Sequence, residues 1–168
     1  MSKLQLKKEL AGMDREQLAQ IILDAYSARK EMRAYFEFFL NPDVDRLKEK
    51  YLAAIGKELQ RRKHRVWAAR ITVVRRAIRE FASFDPGAEY VLGIMLETIR
   101  LILQLERVDY LSEAFEKGTK KLVEDTVAYA DAHLLTDTAM RTLHGYACDS
   151  SLGTASFRNR LLMRFMWQ

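Results

Sequence analysis

The residues of this chain that could do chemistry are few, and the best-spaced group among them is Asp137, His144 and Cys148. His144 and Cys148 stand four positions apart, so a helix would place both on one face. Asp137 falls within about 40° of them around the same helix. These three side chains can bind one zinc ion, but a cysteine packed beside a half-buried histidine gives the same pattern. Because no second ligand cluster occurs, we predict neither a metal nor a cofactor.

A second candidate is the pair Glu97 and Arg100, which stand three positions apart in the most apolar stretch of the chain. A buried ion pair of this kind inside a ligand pocket would indicate an enzyme. The alternative is that both residues form the one solvated edge of a central helix.

The sequence contains none of the short motifs that identify common reactions. There is no GxGxxG or Walker-type phosphate loop, no HExxH or CxxC metal motif and no GxSxG nucleophile turn. His133 shares a helical stripe with Phe115, Leu122 and Tyr129, which indicates a hydrogen-bonded core histidine. No reaction can therefore be named, and a non-enzymatic protein is favoured over a small-molecule enzyme.

Positive charge is concentrated between residues 57 and 79, here called the basic segment. It holds nine of the 28 basic residues beside one acid, Glu58, whereas the whole chain has a formal net charge of only +5. Such a local field attracts anionic partners. The predicted partner-binding residues are Lys57, Arg61, Arg62, Lys63, Arg65, Arg75, Arg76 and Arg79.

Helical periodicity divides the stretch from residue 66 to 84 into two faces. The apolar positions recur at spacings of four and three and are predicted to face the core; they are Trp67, Ile71, Val74, Ile78 and Phe81. Arginines occupy the opposite face, where guanidinium groups can bind phosphate or carboxylate oxygens through paired hydrogen bonds. A solvated face without any partner has the same pattern.

Two other anionic partners are compatible with this face. Nonspecific nucleic-acid binding is an alternative, although no solvent-facing aromatic residue and no nucleic-acid-binding motif accompanies the arginines. Binding to an anionic membrane surface is the weaker hypothesis, because the apolar stripe is needed in the core.

The composition predicts one folded domain over residues 1–168. Hydrophobic residues make up 49% and charged residues 30% of the chain, which is typical of globular proteins. Cys148 is the only cysteine, so no disulfide can form within the chain. Lys3, Lys7 and Lys8 interrupt any secretory apolar run, and the most apolar stretch, residues 90–105, is shorter than the ~20 residues that cross a bilayer. We expect a cytoplasmic protein without integral membrane insertion.

The first half of the chain carries several helix boundary signals. Asp14 and Gln17 form a capping-box pattern, and the residues from Ala28 to Glu31 interrupt the apolar stripe that follows, which predicts a break there. The pairs Asn41-Pro42 and Asp85-Pro86 predict that Asn or Asp caps a helix and that Pro opens it.

The second half predicts a central helix with helices around it. Residues 91–105 are apolar around most of the helical circumference, which is typical of a helix in the middle of a core. Further helices are predicted over residues 111–135, from a Thr136 cap to Cys148, and over residues 157–167. The fold class is all-α, with seven or eight helices arranged as stacked antiparallel hairpins, resembling a helical-repeat array, or as an irregular bundle.

Three stretches together carry a resemblance: residues 4–18, the element Phe38-Phe39-Leu40-Asn41-Pro42-Asp43 with the aromatic residues before it, and residues 74–81. Their order resembles a small family of uncharacterised bacterial all-helical proteins, a domain of unknown function, mainly over residues 1–85. The resemblance implies a bacterial cytoplasmic protein with no established activity, so no catalytic residue is carried over. It also implies a basic segment in the third and fourth helices.

These observations predict a non-enzymatic binding or scaffold protein whose basic helical hairpin engages an anionic or acidic partner. The alternatives are a nonspecific nucleic-acid-binding protein and a small-molecule enzyme with a buried polar site. The oligomeric state and the identity of the partner stay open.

Overall fold

The computed structural model describes residues 2–60 and 69–163, and the chain is helical in both ranges without any strand. Nine α-helices occur in these ranges: α1 (Lys3–Ala11), α2 (Arg15–Ala28), α3 (Lys30–Leu40), α4 (Val44–Leu59), α5 (Ile71–Ala82), α6 (Ala88–Glu106), α7 (Glu113–Ala132), α8 (Thr136–Cys148) and α9 (Ala155–Leu162). The all-α prediction is confirmed. The structure has more helices than the seven or eight expected, because the few leucines of α1 do not form an apolar stripe that would indicate a helix.

The described helices include none that combines the length and the apolar character needed to span a membrane.

The chain divides into two compact units, residues Met1–Asp43 and Val44–Gln168. In the first unit, the predicted capping box is present: Asp14 Oδ1 accepts from the Gln17 N–H at 2.8 Å, and Gln17 Oε1 accepts from the Asp14 N–H at 3.1 Å. The predicted break is also present, because Arg29 adopts an extended conformation between α2 and α3. Helices α2 and α3 pack on each other.

In the second unit, α6 forms the centre of the core, as predicted. It packs against α4, α5, α7 and α8. Ten of its 19 residues are buried, among them Ile94, Ile99 and Ile102 with no exposed surface. A helix with apolar side chains around most of its circumference can bury them only when other helices surround it.

Both Xaa-Pro pairs lie ahead of helices, but neither acts as the predicted cap. Asn41 ends α3, because the residue before a proline is disfavoured in the α conformation. Helix α4 begins only at Val44. After α5, Asp85 has a φ of 53° and Gly87 a φ of 106°, and α6 begins at Ala88. Gly87 occupies the N-cap position of α6 without a side-chain cap.

Other helix boundaries agree with the predicted ones or differ from them by a few residues in either direction. Helix α7 starts after its N-cap Ser112, and Leu134 (φ 58°) lies in the left-handed region beyond its end. Helix α8 has the predicted bounds, but its N-cap is Leu135 rather than Thr136. Helix α9 begins two residues early, capped by Thr154, and the last five residues of the chain lie outside the described ranges.

Candidate functional site

The two ends of the basic segment lie on packed helices, α4 and α5. Lys57 is exposed on the last turn of α4. The single acid of the segment, Glu58, accepts from both the backbone N–H and the Nε–H of Arg70, each at 3.1 Å. This hydrogen bonding raises the pKa of Arg70 and holds the residue immediately before α5 in an extended conformation. Glu58 therefore links the end of α4 to the start of α5.

Helix α5 has the two faces that its periodicity predicts. Val74, Ile78 and Phe81 are buried, and Arg76 and Arg79 are exposed. The Arg76 side chain is 66% exposed and its Nε lies 3.6 Å from Glu80 Oε1. Among the described residues, Lys57 and Arg79 have no ion pair. The charged face thus contributes little to the packing of the helix.

Arg75 differs from its neighbours because it contacts another helix. Its Nη2 donates to Asp125 Oδ2 of α7 at 2.5 Å, and Lys121 Nζ lies 2.9 Å from the other oxygen of the same carboxylate. Asp125 is thus shared by two cations. Each of these side chains is at least one-third exposed, so water screens both pairs and they stabilise the fold only modestly.

Four of the predicted partner-binding residues, Arg61, Arg62, Lys63 and Arg65, lie outside the described ranges, as does Trp67. Helix α5 begins at Ile71 rather than near residue 66. The structure therefore describes Lys57, Arg75, Arg76 and Arg79, and places the last three on one helix.

Next to these arginines lies a groove between α5, α6 and α7, here called the α5–α7 groove, with a volume of about 220 Å³. Its α5 side is formed by Arg75, Ile78, Arg79 and Ala82. Its α6 and α7 sides are formed by Val91, Met95, Leu122, Asp125 and Tyr129. Two guanidinium groups thus lie at the edge of a mainly apolar recess.

Tyr129 is the neutral polar residue of this groove. Burial, and secondarily the negative charge of Asp85, raise the pKa of Tyr129 above its ordinary value of 10.0. The phenol therefore keeps its proton at neutral pH. The centroid of its ring lies 4.3 Å from the centroid of the His133 ring. His133 is exposed at the end of α7. The prediction of a core histidine is wrong, because α7 ends at Ala132 and His133 leaves the helical stripe.

Glu97 and Arg100 form the predicted ion pair on α6. Arg100 Nε and Nη2 donate to the two Glu97 oxygens at 2.9 and 2.5 Å, which raises the pKa of Arg100. Both side chains are about one-third exposed, so the pair lies at the solvated edge of the helix. Burial, with Glu97 as the second cause, raises the pKa of Tyr146 on α8. No feature of this cluster requires a reaction to explain it.

Asp137, His144 and Cys148 are all exposed on α8. Cys148 Sγ lies 3.8 Å from His144 Nδ1, as the spacing of four predicts. Asp137 does not join them, and residues 2–60 and 69–163 contain no group of three His, Cys, Asp or Glu side chains placed to hold a metal ion.

Sequence reasoning missed the residues that α6 and α7 bring to the arginines. Asp125 belongs to the acidic pair Glu124-Asp125, which helical periodicity assigns to a polar face. Met95 and Leu122 have the pattern of ordinary core residues. No sequence signal links them to Arg75 or Arg79, because the contacts span three helices.

Residues 1–145 match the sequence model of DUF6155, a family of unknown function. The predicted resemblance to a domain of unknown function is confirmed, and the match extends well past residue 85. No curated protein and no solved structure matches the chain.

Proposed function

The chain belongs to DUF6155, a family of unknown function, and we propose that it is a non-enzymatic binding protein whose basic segment engages an acidic partner. The observation that carries this proposal is the division of α5. Its apolar stripe is buried, and its arginines Arg76 and Arg79 are exposed on the opposite face. The helix therefore presents these charges to solvent, although its packing does not need them.

The existing ion pairs leave the face able to bind. The Arg76–Glu80 pair is exposed and within one helix, so it contributes only ~0.3–0.5 kcal/mol and a partner carboxylate can replace Glu80. Arg79 and Lys57 carry no ion pair within the described ranges. Guanidinium groups bind carboxylate oxygens through two parallel hydrogen bonds, which suits an acidic protein surface as the partner. They bind phosphate in the same way, so nucleic acid is the alternative that the test must separate.

The test compares two variants of equal charge on a column of immobilised poly-L-glutamate. In Lys57→Gln/Arg76→Gln/Arg79→Gln the exposed charges of the basic segment are removed. In Lys3→Gln/Lys7→Gln/Lys8→Gln three exposed charges of α1 are removed instead. We expect the first variant to elute at a lower salt concentration than the wild type. The second variant should elute at the same salt concentration as the wild type. A variant of Arg61, Arg62, Lys63 and Arg65 extends the test to the rest of the segment.

Equal losses in the two variants would show that net charge alone causes retention, and the proposal would be wrong. A generic DNA duplex in place of poly-L-glutamate tests the alternative of nucleic-acid binding. Stronger retention on the duplex than on poly-L-glutamate would favour that alternative. The logarithm of the affinity should then fall linearly with the logarithm of the salt concentration.

A further inference from the structure

The α5–α7 groove combines an apolar floor with cationic groups at its edge. Ile78, Val91, Met95 and Leu122 are each at most 6% exposed and form the floor. Arg79 lies at the edge and has no ion pair among the described residues. An apolar recess with a few convergent polar groups is the usual form of a small-molecule site.

The hydrogen-bonding capacity of the groove suits an anion. Of its two arginines, Arg75 is already bound to Asp125, and that carboxylate is also bound by Lys121. Tyr129 is neutral at physiological pH and adds no charge. Arg79 is therefore the cation of the groove that has no ion pair among the described residues. The Tyr129 hydroxyl is a further, neutral donor. Hydrogen bonds from a guanidinium group are strongest to an oxygen that carries negative charge, so an anionic ligand group suits this edge best.

The size of the groove limits the rest of the ligand. Its volume of about 220 Å³ lies below the ~300–1,000 Å³ of pockets that hold drug-sized molecules. The apolar part of the ligand must therefore be a short tail. A larger groove of about 300 Å³ between α6 and α8 has Glu89 as its charged lining residue, which makes it unsuited to an anion.

We propose that the α5–α7 groove binds a small amphipathic carboxylate, with a short hydrocarbon tail on the floor and its carboxylate paired with Arg79. This site shares Arg79 with the proposed partner surface, but it does not depend on binding of a macromolecule.

The experiment titrates the full chain, labelled with ¹³C at its methionine methyl groups, with sodium hexanoate, 1-hexanol and acetate. The Met95 signal is assigned from the variant Met95→Leu. We expect hexanoate to shift this signal saturably, hexanol to bind about tenfold more weakly because it cannot pair with Arg79, and acetate to cause no shift because it lacks a tail.

Three variants locate the site. Arg79→Gln should reduce hexanoate affinity to that of hexanol, whereas Arg76→Gln, a change of the same kind one turn away and outside the groove, should leave it unchanged. Ala82→Leu should fill the groove and abolish the hexanoate shift. Equal binding of hexanoate and hexanol, an unshifted Met95 signal, or equal effects of Arg79→Gln and Arg76→Gln would overturn the proposal.

The same variants separate this proposal from the proposed function. Ala82→Leu keeps every charge of the basic segment, so its retention on poly-L-glutamate should match that of the wild type. Hexanoate binding without polymer retention would contradict the proposed function alone, and polymer retention without hexanoate binding would contradict the groove alone.

Discussion

Arg158 is the buried charge of the described residues, with only 9% of its surface exposed. Its guanidinium donates to the carbonyl oxygens of Leu152 and Gly153, each at 2.7 Å, and to that of Ala147 at 3.1 Å. A planar guanidinium can reach three carbonyls at once because its donors are fixed in a fork. The residue therefore fastens α9 to the end of α8.

The turn before α9 is held from a second side. Glu106 of α6 accepts from the Thr154 N–H at 2.6 Å and from its hydroxyl at 2.8 Å, and Arg107 donates to the carbonyl oxygens of Ser150 and Ser151. Residues 149–154 form no helix, so these side chains satisfy backbone groups that would otherwise need water.

At the residue scale, we predict that Arg158→Met lowers the free energy of unfolding by about 3 kcal/mol, because it leaves buried carbonyl groups without donors. Arg158→Lys should lose less, since it keeps one donor group in place. The control is Arg160→Met on the same helix, where the half-exposed pair with Glu116 predicts a loss of ~1 kcal/mol at most. Urea unfolding with an unchanged m-value measures all three. Similar losses for Arg158→Met and Arg160→Met would contradict the assigned role.

At the element scale, α5 and α7 approach each other closely at Gly118. A Cβ atom there would lie 2.5 Å from Ile71 Cγ2 and 3.2 Å from Ile71 Cβ. Ile71 is β-branched and stiff, and its Cβ is fixed to the helix backbone, so it can move aside only at a cost in free energy. Gly145 on α8 has no atom within 4 Å of the same position.

These two glycines give opposite predictions for one substitution. Gly145→Ala should stabilise the protein by ~0.5–1 kcal/mol through helix propensity. Gly118→Ala should destabilise it by ~1–3 kcal/mol, because steric overlap outweighs that gain. In an Ile71→Ala background the Gly118→Ala change should cost much less, because the two closest contacts are with Ile71 Cγ2 and Cγ1 and only the 3.2 Å approach to Cβ remains. A double-mutant cycle measured by thermal or urea unfolding will show this difference. If the effects of Gly118→Ala and Ile71→Ala on the free energy of unfolding are additive, overlap with Ile71 is not the cause of the Gly118→Ala cost.

At the scale of the whole molecule, the two units differ in how much they bury. None of the residues of α1, α2 and α3 is buried, and Ile22, Leu23, Phe39 and Leu40 are each between 46% and 71% exposed. The second unit has a continuous core around α6. Local stability follows apolar burial, so the first unit should open far more readily than the second.

We therefore predict that backbone amides of α2 and α3 exchange with deuterium much faster than those of α6 under native conditions. The physical reason is that opening α6 exposes side chains such as Ile94 and Ile99, whereas opening α2 or α3 exposes little that is not already in contact with water. Hydrogen exchange followed by mass spectrometry resolves the two regions. Protection of α2 and α3 equal to that of α6 would show that their apolar faces are covered in solution.

Much of the fold could be predicted, because the signals are local. The Asp14–Gln17 capping box, the break at Arg29 and the central position of α6 all depend on residues within a few turns of one another. The helix starts differ from those that Pro42 and Pro86 predict, since a proline shows that a helix is near but not at which residue it begins. After Pro86, the positive φ of Gly87 delays the start of α6 to Ala88.

The basic segment shows the same limit. Its charge and the inward-facing stripe Val74, Ile78 and Phe81 are determined by the sequence alone, because composition and helical phase need no tertiary contact. The packing of the helices, by contrast, is what pairs Asp125 with Arg75 and Glu58 with Arg70, and what places Arg79 beside a groove whose floor includes residues of α6 and α7. These contacts join residues up to 50 positions apart, and the packing of whole helices, which periodicity does not encode, brings them together.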